Sequence, residues 1–136
     1  MKKTGLEIQD DVFIIIDMST LKPMITGKIY KGGMRPINAK SEDVVVSFLT
    51  GLNGQVQVGV VNVNIYVPDI TIDASGQSVC NIPRCRALEA ELCKITDNLK
   101  ASEYRFRPDN IISTFPEPEI KQHFINARIR FKRIAI

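Results

Sequence analysis

A chain of 136 residues with 44% hydrophobic and 24% charged residues is long enough for one globular domain with its own core, and its composition excludes a disordered or fibrous protein. The formal net charge of +3 permits a local basic patch but is too small to demand a polyanionic partner. The three cysteines, an odd number, argue against a secreted disulfide framework.

The N-terminus begins with two lysines, as an export signal does, but aspartates interrupt the apolar run that follows. No window has the ~18 consecutive apolar residues of a membrane-spanning helix. We therefore expect a single domain over residues 1–136, soluble and made in a reducing cytosol.

The first elements are mixed in character. Residues 4–18 fit a helical stripe in part, although "VFIII" is rich enough in β-branched residues to suggest a strand; the helix is favoured. A short alternation of apolar and polar residues surrounds Ile29. The segment "KGGMRPINAKSED" is predicted to be a loop, because it combines two glycines with Pro36.

A hairpin follows. "EDVVVSFLT" predicts a strand over Glu42–Thr50, and Asn53-Gly54 is a strong hairpin turn signal. The partner strand is "QVQVGVVNVNIYVPD", and a turn-rich connection with a brief extended piece at 70–72 comes after it.

This partner strand changes its apolar face halfway along. Apolar residues occupy even-numbered positions up to Val60 and odd-numbered positions from Val61 onward. Because side chains alternate along a strand, the change predicts a β-bulge or sharp twist at Gly59. Polar side chains then lie on the face away from the core, where they would suit a hydrogen-bonded subunit interface: Asn62, Asn64 and Tyr66.

The most regular helical pattern covers residues 82–100. Asn81 is a plausible N-cap, and Pro83 falls in the first turn. One apolar stripe runs along the segment: Cys85, Leu88, Leu92, Ile95 and Leu99.

Two more strands close the chain, "YRFRP" and "QHFINARIRFKRI". The second alternates cleanly and places three cations on one side, about 6.8 Å apart: Arg128, Arg130 and Lys132. This basic face is either solvated or turned toward a partner, which would be a neighbouring subunit's carboxylates or a nucleic-acid backbone. Single-strand binding is not expected, because no aromatic residue is interleaved with the cations.

The predicted order α–β–β–β–α–β–β indicates an α+β fold. We expect a mostly antiparallel sheet, with the N-terminal helix and the amphipathic helix 82–100 packed on one face.

No catalytic or cofactor signature stands out. The spacing Cys80-x4-Cys85-x7-Cys93 lacks the close pairs of a zinc site, and the single histidine, His123, is distant in sequence. Glycine-rich phosphate loops are absent from the sequence. We predict no catalytic residue, no metal and no cofactor, and hence no enzymatic activity.

One enzymatic alternative remains. Pro108-Asp109 followed by Glu119-x-Lys121 matches the string of the PD-(D/E)xK nucleases, in which two carboxylates hold a divalent cation and a lysine orients water. Against it, Glu119 follows "FPEP", a segment that its prolines predict to be a loop. The other explanation is that these carboxylates are solvated.

The order of elements and three blocks, "FLTG", "VNIYVPD" and the closing pair of strands, resemble the tail terminator (tail completion) proteins of long-tailed bacteriophages or prophages. The resemblance covers most of the chain and includes no catalytic motif. It implies an oligomeric ring, commonly a hexamer, that caps the tail tube and meets the neck.

The partners implied are copies of the chain itself, tail-tube proteins and neck proteins, with no membrane. The implied location is the host cytoplasm during assembly and then the virion tail. A head–tail adaptor or stopper is a related alternative. The candidate interface residues come from the strand faces: Asn62, Asn64, Tyr66, Arg128, Arg130 and Lys132.

Overall fold

A computed structural model describes residues 1–134, which form three helices and eight strands. The helices are α1 (Gly5–Asp17), α2 (Leu21–Met24) and α3 (Ile82–Asp97). The strands are β1 (Ile29–Lys31), β2 (Asp43–Leu52), β3 (Val56–Pro68), β4 (Ile70–Thr71), β5 (Ser78–Val79), β6 (Tyr104–Pro108), β7 (Ser113–Glu117) and β8 (Gln122–Ile134). A short 3-10 turn, Pro118–Ile120, leads into β8.

The main sheet has the order β1-β2-β3-β8-β6, and β7 shares with β6 the same edge of β8. All neighbours are antiparallel except β1 and β2, which are parallel. Strands β4 and β5 form a separate small hairpin. The predicted α+β class with a mostly antiparallel sheet is confirmed, and the parallel pair is an addition to it.

The N-terminal segment is a helix because its first turn is capped from both sides. Thr4 Oγ1 accepts a hydrogen bond from the Glu7 amide (3.3 Å), while Glu7 Oε1 accepts one from the Thr4 amide (2.9 Å). This capping box satisfies two amides that would otherwise lack partners. Every fourth residue is then buried: Ile8, Val12 and Ile16.

The two long helices cover the same face of the sheet. Their buried side chains share one core cluster with the odd-numbered residues of β3 and β8. Helix α3 starts as predicted, with Asn81 Oδ1 accepting from the Arg84 amide (3.3 Å), but it ends at Asp97 rather than at residue 100. Leu99 lies beyond the helix and is still buried. Within residues 1–134, the helices lack the length and apolar character needed to cross a membrane.

Strand β3 is regular. Its register with β8 runs unbroken along its 13 residues, so the bulge predicted at Gly59 is wrong. The irregularity lies in the neighbouring strand, where the register of β2 shifts between Phe48 and Thr50.

The change of apolar face in β3 has a packing cause. The core face continues from Val61 through Gly59 to Gln57. A Cβ on Gly59 would stand 2.3 Å from the Thr50 carbonyl oxygen and 2.8 Å from the Phe131 ring, so these two groups occupy the place of a side chain. Gln57 is only 3% exposed, and its Oε1 accepts from the buried Arg133 Nη1 at 3.0 Å, so its polar end has a partner on the core face.

The segment around "FPEP" is a strand for most of its length, contrary to the predicted loop. β7 pairs with β8 on one side only, from Ser113 opposite Asn126 to Glu117 opposite Gln122. An edge strand tolerates Pro116, since the missing amide belongs to the unpaired side.

Candidate functional site: the open face of the sheet

The side of the sheet opposite the helices carries the even-numbered residues of β3 and β8. We call it the open face. The register sets Asn62 opposite Arg128 and Asn64 opposite Asn126. The structure thus brings onto one surface all six residues that the strand patterns singled out, namely Asn62, Asn64, Tyr66, Arg128, Arg130 and Lys132. The first three are half-buried and the last three are exposed.

Side-chain amides join three segments at the middle of the open face. Asn126 Nδ2 donates to Asn64 Oδ1 at 2.7 Å and lies 3.5 Å from Asn62 Oδ1. Asn110 Nδ2 in turn donates to Asn126 Oδ1 at 3.1 Å. The amides are therefore oriented by one another, and each retains hydrogen-bonding capacity toward a partner.

Aromatic rings occupy the end of the open face nearest the start of β8. The Tyr66 and Phe124 ring centroids lie 5.8 Å apart, and Phe115 follows at 5.7 Å from Phe124. Burial raises the pKa of Tyr66; the negative charge of Glu117 adds to the rise and Arg35 opposes it. Tyr66 is accordingly a neutral hydrogen-bonding group at neutral pH.

Arg35 anchors the loop between β1 and β2 over these rings. Its guanidinium carbon lies 4.4 Å from the Tyr66 ring centroid, and its Nε donates to Asp43 Oδ2 at 2.9 Å. Nη2 donates to Gln122 Oε1 at 2.9 Å. The loop thereby covers one end of the open face and leaves the rest accessible.

The other end is a basic block made of five residues, Arg105, Arg107, Arg128, Arg130 and Lys132. The register sets Arg105 opposite Lys132 and Arg107 opposite Arg130. A shallow cavity of about 180 Å³ lies between the two strands, lined by four of these cations together with Phe106 and Phe131. Like charges directly opposite each other on a sheet are destabilising, so the arrangement favours an anionic partner.

One carboxylate offsets part of the positive charge of the basic block. Arg130 Nη2 lies 2.8 Å from Asp109 Oδ1, and no other member of the basic block makes an ion pair with a residue in 1–134. Four of the five are arginines, whose planar guanidinium groups match the geometry of carboxylates and phosphates. The block can therefore hold carboxylates or phosphates.

The nuclease alternative requires Asp109, Glu119 and Lys121 to converge, and they do not. The Asp109 amide donates to the Arg128 carbonyl at 2.8 Å. Lys121 immediately precedes the first residue of β8, about 20 Å away along that strand. Among residues 1–134, no group of three or more His, Cys, Asp or Glu side chains is placed to hold a metal ion.

Several contributors to the open face were not in the predicted set, among them Arg105, Arg107 and Arg35. The alternation of "YRFRP" showed that Arg105 and Arg107 share a strand face, but not that this strand pairs with β8. Arg35 lies in an irregular loop, where no periodic pattern gives its position.

Comparisons with known proteins assign no family to the chain. No protein-family model matches the chain, and no curated protein shows significant sequence similarity to it.

Proposed function

We propose that this chain is a structural, self-associating subunit that acts as a tail terminator of a long-tailed bacteriophage or prophage. In this role it caps the tail tube as a ring, commonly a hexamer, and joins the tube to the neck. It acts in the host cytoplasm during assembly and then in the virion tail. Its partners are copies of itself, tail-tube proteins and neck proteins.

The observation that supports the proposal is the open face. One side of the sheet is sealed by α1 and α3, while the other presents oriented amides, a tyrosine and an excess of cations. Such polar groups suit a hydrogen-bonded, partly wet interface better than a core. A ring subunit needs such a surface in addition to its own hydrophobic core.

The resemblance gives the more specific part of the proposal. The strings that carry it, "FLTG", "VNIYVPD" and the closing strands, belong to β2, β3, β6 and β8, which form or flank the open face. A head–tail adaptor or stopper would use the same face for a different neighbour. Gene neighbours distinguish the two, because a terminator gene is expected beside tail-tube and neck genes.

The test is the mass of the particle in solution. At high protein concentration and low salt, light scattering is expected to show an oligomer for the wild type. The double variant Asn64→Asp, Arg130→Glu places two negative charges on the open face and is expected to remain monomeric while keeping its circular dichroism spectrum.

Lys94→Glu is the matched control, since Lys94 is exposed on α3 beside Glu91, and α3 covers the face of the sheet opposite the open face. It makes the same charge change as Arg130→Glu and is expected to leave the oligomer intact. A monomeric wild type, or equal dissociation of control and test variants, would contradict the proposal.

A further inference from the structure

Two thiols lie side by side where the β4–β5 hairpin leads into α3. Cys80 Sγ is 3.8 Å from Cys85 Sγ. A disulfide has a sulfur–sulfur length of about 2.05 Å, so the two atoms need to approach by roughly 1.8 Å. Rotation of the side chains about χ1 covers a distance of that order.

Local backbone bonds hold the pair in place. The Cys80 carbonyl accepts from the Ile82 amide at 3.0 Å, and the Cys85 amide donates to the Asn81 carbonyl at 2.9 Å. These bonds form a turn and the first turn of α3, so the short segment between the cysteines is folded in a way that brings their sulfurs together.

The two thiols differ in their access to solvent. Cys80 is half-buried, whereas Cys85 is 4% exposed. Burial, the contact with Cys80 and the negative charges of Glu89 and Asp69 raise the pKa of Cys85 to about 12. Because the thiolate is the nucleophile in disulfide exchange, Cys80 is the thiol that reacts first with a molecule from solvent.

We propose that Cys80 and Cys85 form a reversible intramolecular disulfide by exchange with a small-molecule disulfide such as oxidised glutathione. The Cys80 thiolate attacks one sulfur of the small disulfide, breaks its S–S bond and releases one thiolate. Cys85 then gives up its proton to solvent and attacks the Cys80 sulfur, and the second small thiolate leaves. The protein loses two electrons and two protons, and the small disulfide becomes two thiols.

The new bond ties the end of the hairpin to α3. The hairpin is already held at its base by Asp69, whose carboxylate lies 3.3 Å from Ser78 Oγ and 2.6 Å from His123 Nδ1. A disulfide one turn into the helix adds a second, covalent attachment. The oxidised protein is therefore expected to melt at a higher temperature than the reduced one. The inference goes beyond the proposed function and does not depend on it.

The experiment uses the Cys93→Ser variant, because Cys93 is exposed and would react independently. After incubation with oxidised glutathione, the intact mass is expected to fall by about 2 Da, and both remaining thiols should resist alkylation. Dithiothreitol should restore the mass, the two thiols and the lower melting temperature. This measurement leaves both members of the pair unmutated, so it does not depend on how their variants fold.

Two further variants in the same background test the order of events. Cys85→Ser is expected to retain glutathione on Cys80, whereas Cys80→Ser should stay unmodified because Cys85 is buried. Circular dichroism checks that each is folded. The proposal is overturned if Cys93→Ser does not react, or if it stops at a stable glutathione adduct with Cys85 still free.

Discussion

Arg35 shows how one residue can fix a loop to a sheet. Its Nε is 2.9 Å from Asp43 Oδ2, and the two side chains are 9% and 0% exposed. Ser41 Oγ and the Lys28 amide also donate to the Asp43 carboxylate. The buried pair is therefore satisfied on several sides, which is the condition under which burying charge is tolerated.

Removing one partner should be costly. Asp43→Ala leaves the Arg35 charge without its carboxylate in a buried site, and the free energy of unfolding should fall by about 3–5 kcal/mol. The matched control is Asp10→Ala, which breaks an exposed pair with Lys31 (2.9 Å) and should cost less than about 1 kcal/mol. Urea unfolding measures both; equal losses would contradict the argument.

Two buried groups, the Tyr104 hydroxyl and the Cys85 thiol, make the stability of the fold sensitive to alkaline pH. Burial, followed by the hydrogen bond to Asp11, raises the pKa of Tyr104. Burial also raises the pKa of Cys85, to about 12 from a usual value of 9.0. The unfolded chain loses these protons at lower pH than the folded one. The contribution of the two groups to the free energy of unfolding is therefore complete below their unfolded pKa values and declines above them.

The free energy of unfolding should consequently fall from about pH 9 upward, by at most ~1.4 kcal/mol per pH unit for each group. Urea midpoints under reducing conditions, between about pH 8 and pH 11, measure the slope. Cys85→Ala should reduce the fall in the free energy of unfolding that begins near pH 9, while Cys93→Ala should leave that fall unchanged. Identical slopes in the two variants would rule out Cys85 as a source.

At the scale of elements, Gly59 determines how β3 meets β8. A Cβ at this position would stand 2.3 Å from the Thr50 carbonyl oxygen of β2 and 2.8 Å from the Phe131 ring. Position 59 therefore has no room for a side chain on the core face of β3, and only glycine fits there.

Gly59→Ala should destabilise the protein by about 1–3 kcal/mol, because the added methyl collides with the Thr50 carbonyl oxygen and overpacks against the Phe131 ring. Gly54→Ala is the control: its Cβ would be 3.2 Å from the Val56 carbonyl oxygen, and the change should stay within about 1 kcal/mol. Thermal unfolding of the two variants tests this. A Gly59→Ala protein as stable as the control would show that both the β2 backbone and the Phe131 ring move aside freely.

Elements with a strong local signal were predicted from the sequence, and their partners were not. The N-cap at Asn81 and the alternation in "FINARIRFKR" depend only on near neighbours, so α3 and β8 were identified. The T-x-x-E string Thr4–Glu7 is a local signal of the same kind, and the structure has the capping box that it indicates.

The change of face at Gly59 depends on Phe131, 72 residues later in the chain, and on the backbone of β2, so alternation within β3 alone predicts a bulge that the strand does not have. The same limitation applies to the site. The alternation within β3 and within β8 predicts which residues of each strand share a face. The pairing of Arg107 with Arg130, in contrast, follows from strand order. Short alternating patterns do not determine strand order.

At the scale of the whole molecule, the two sides of the sheet differ in kind. One side buries a single core under two helices, while the other combines fixed amides, a capped aromatic end and a basic block. This asymmetry, rather than any one residue, is what favours a subunit that assembles over one that acts alone.

The late position of β8 in the chain affects how the sheet can form during synthesis on the ribosome. Strand β8 is the last element described in the chain, yet it is the pairing partner of β3, β6 and β7. Until residues 122–134 emerge, β6 and β7 have no strand to bond to, and one edge of β3 stays open. Unpaired edges of this kind invite wrong partners, so the nascent chain is most exposed to mispairing just before β8 emerges.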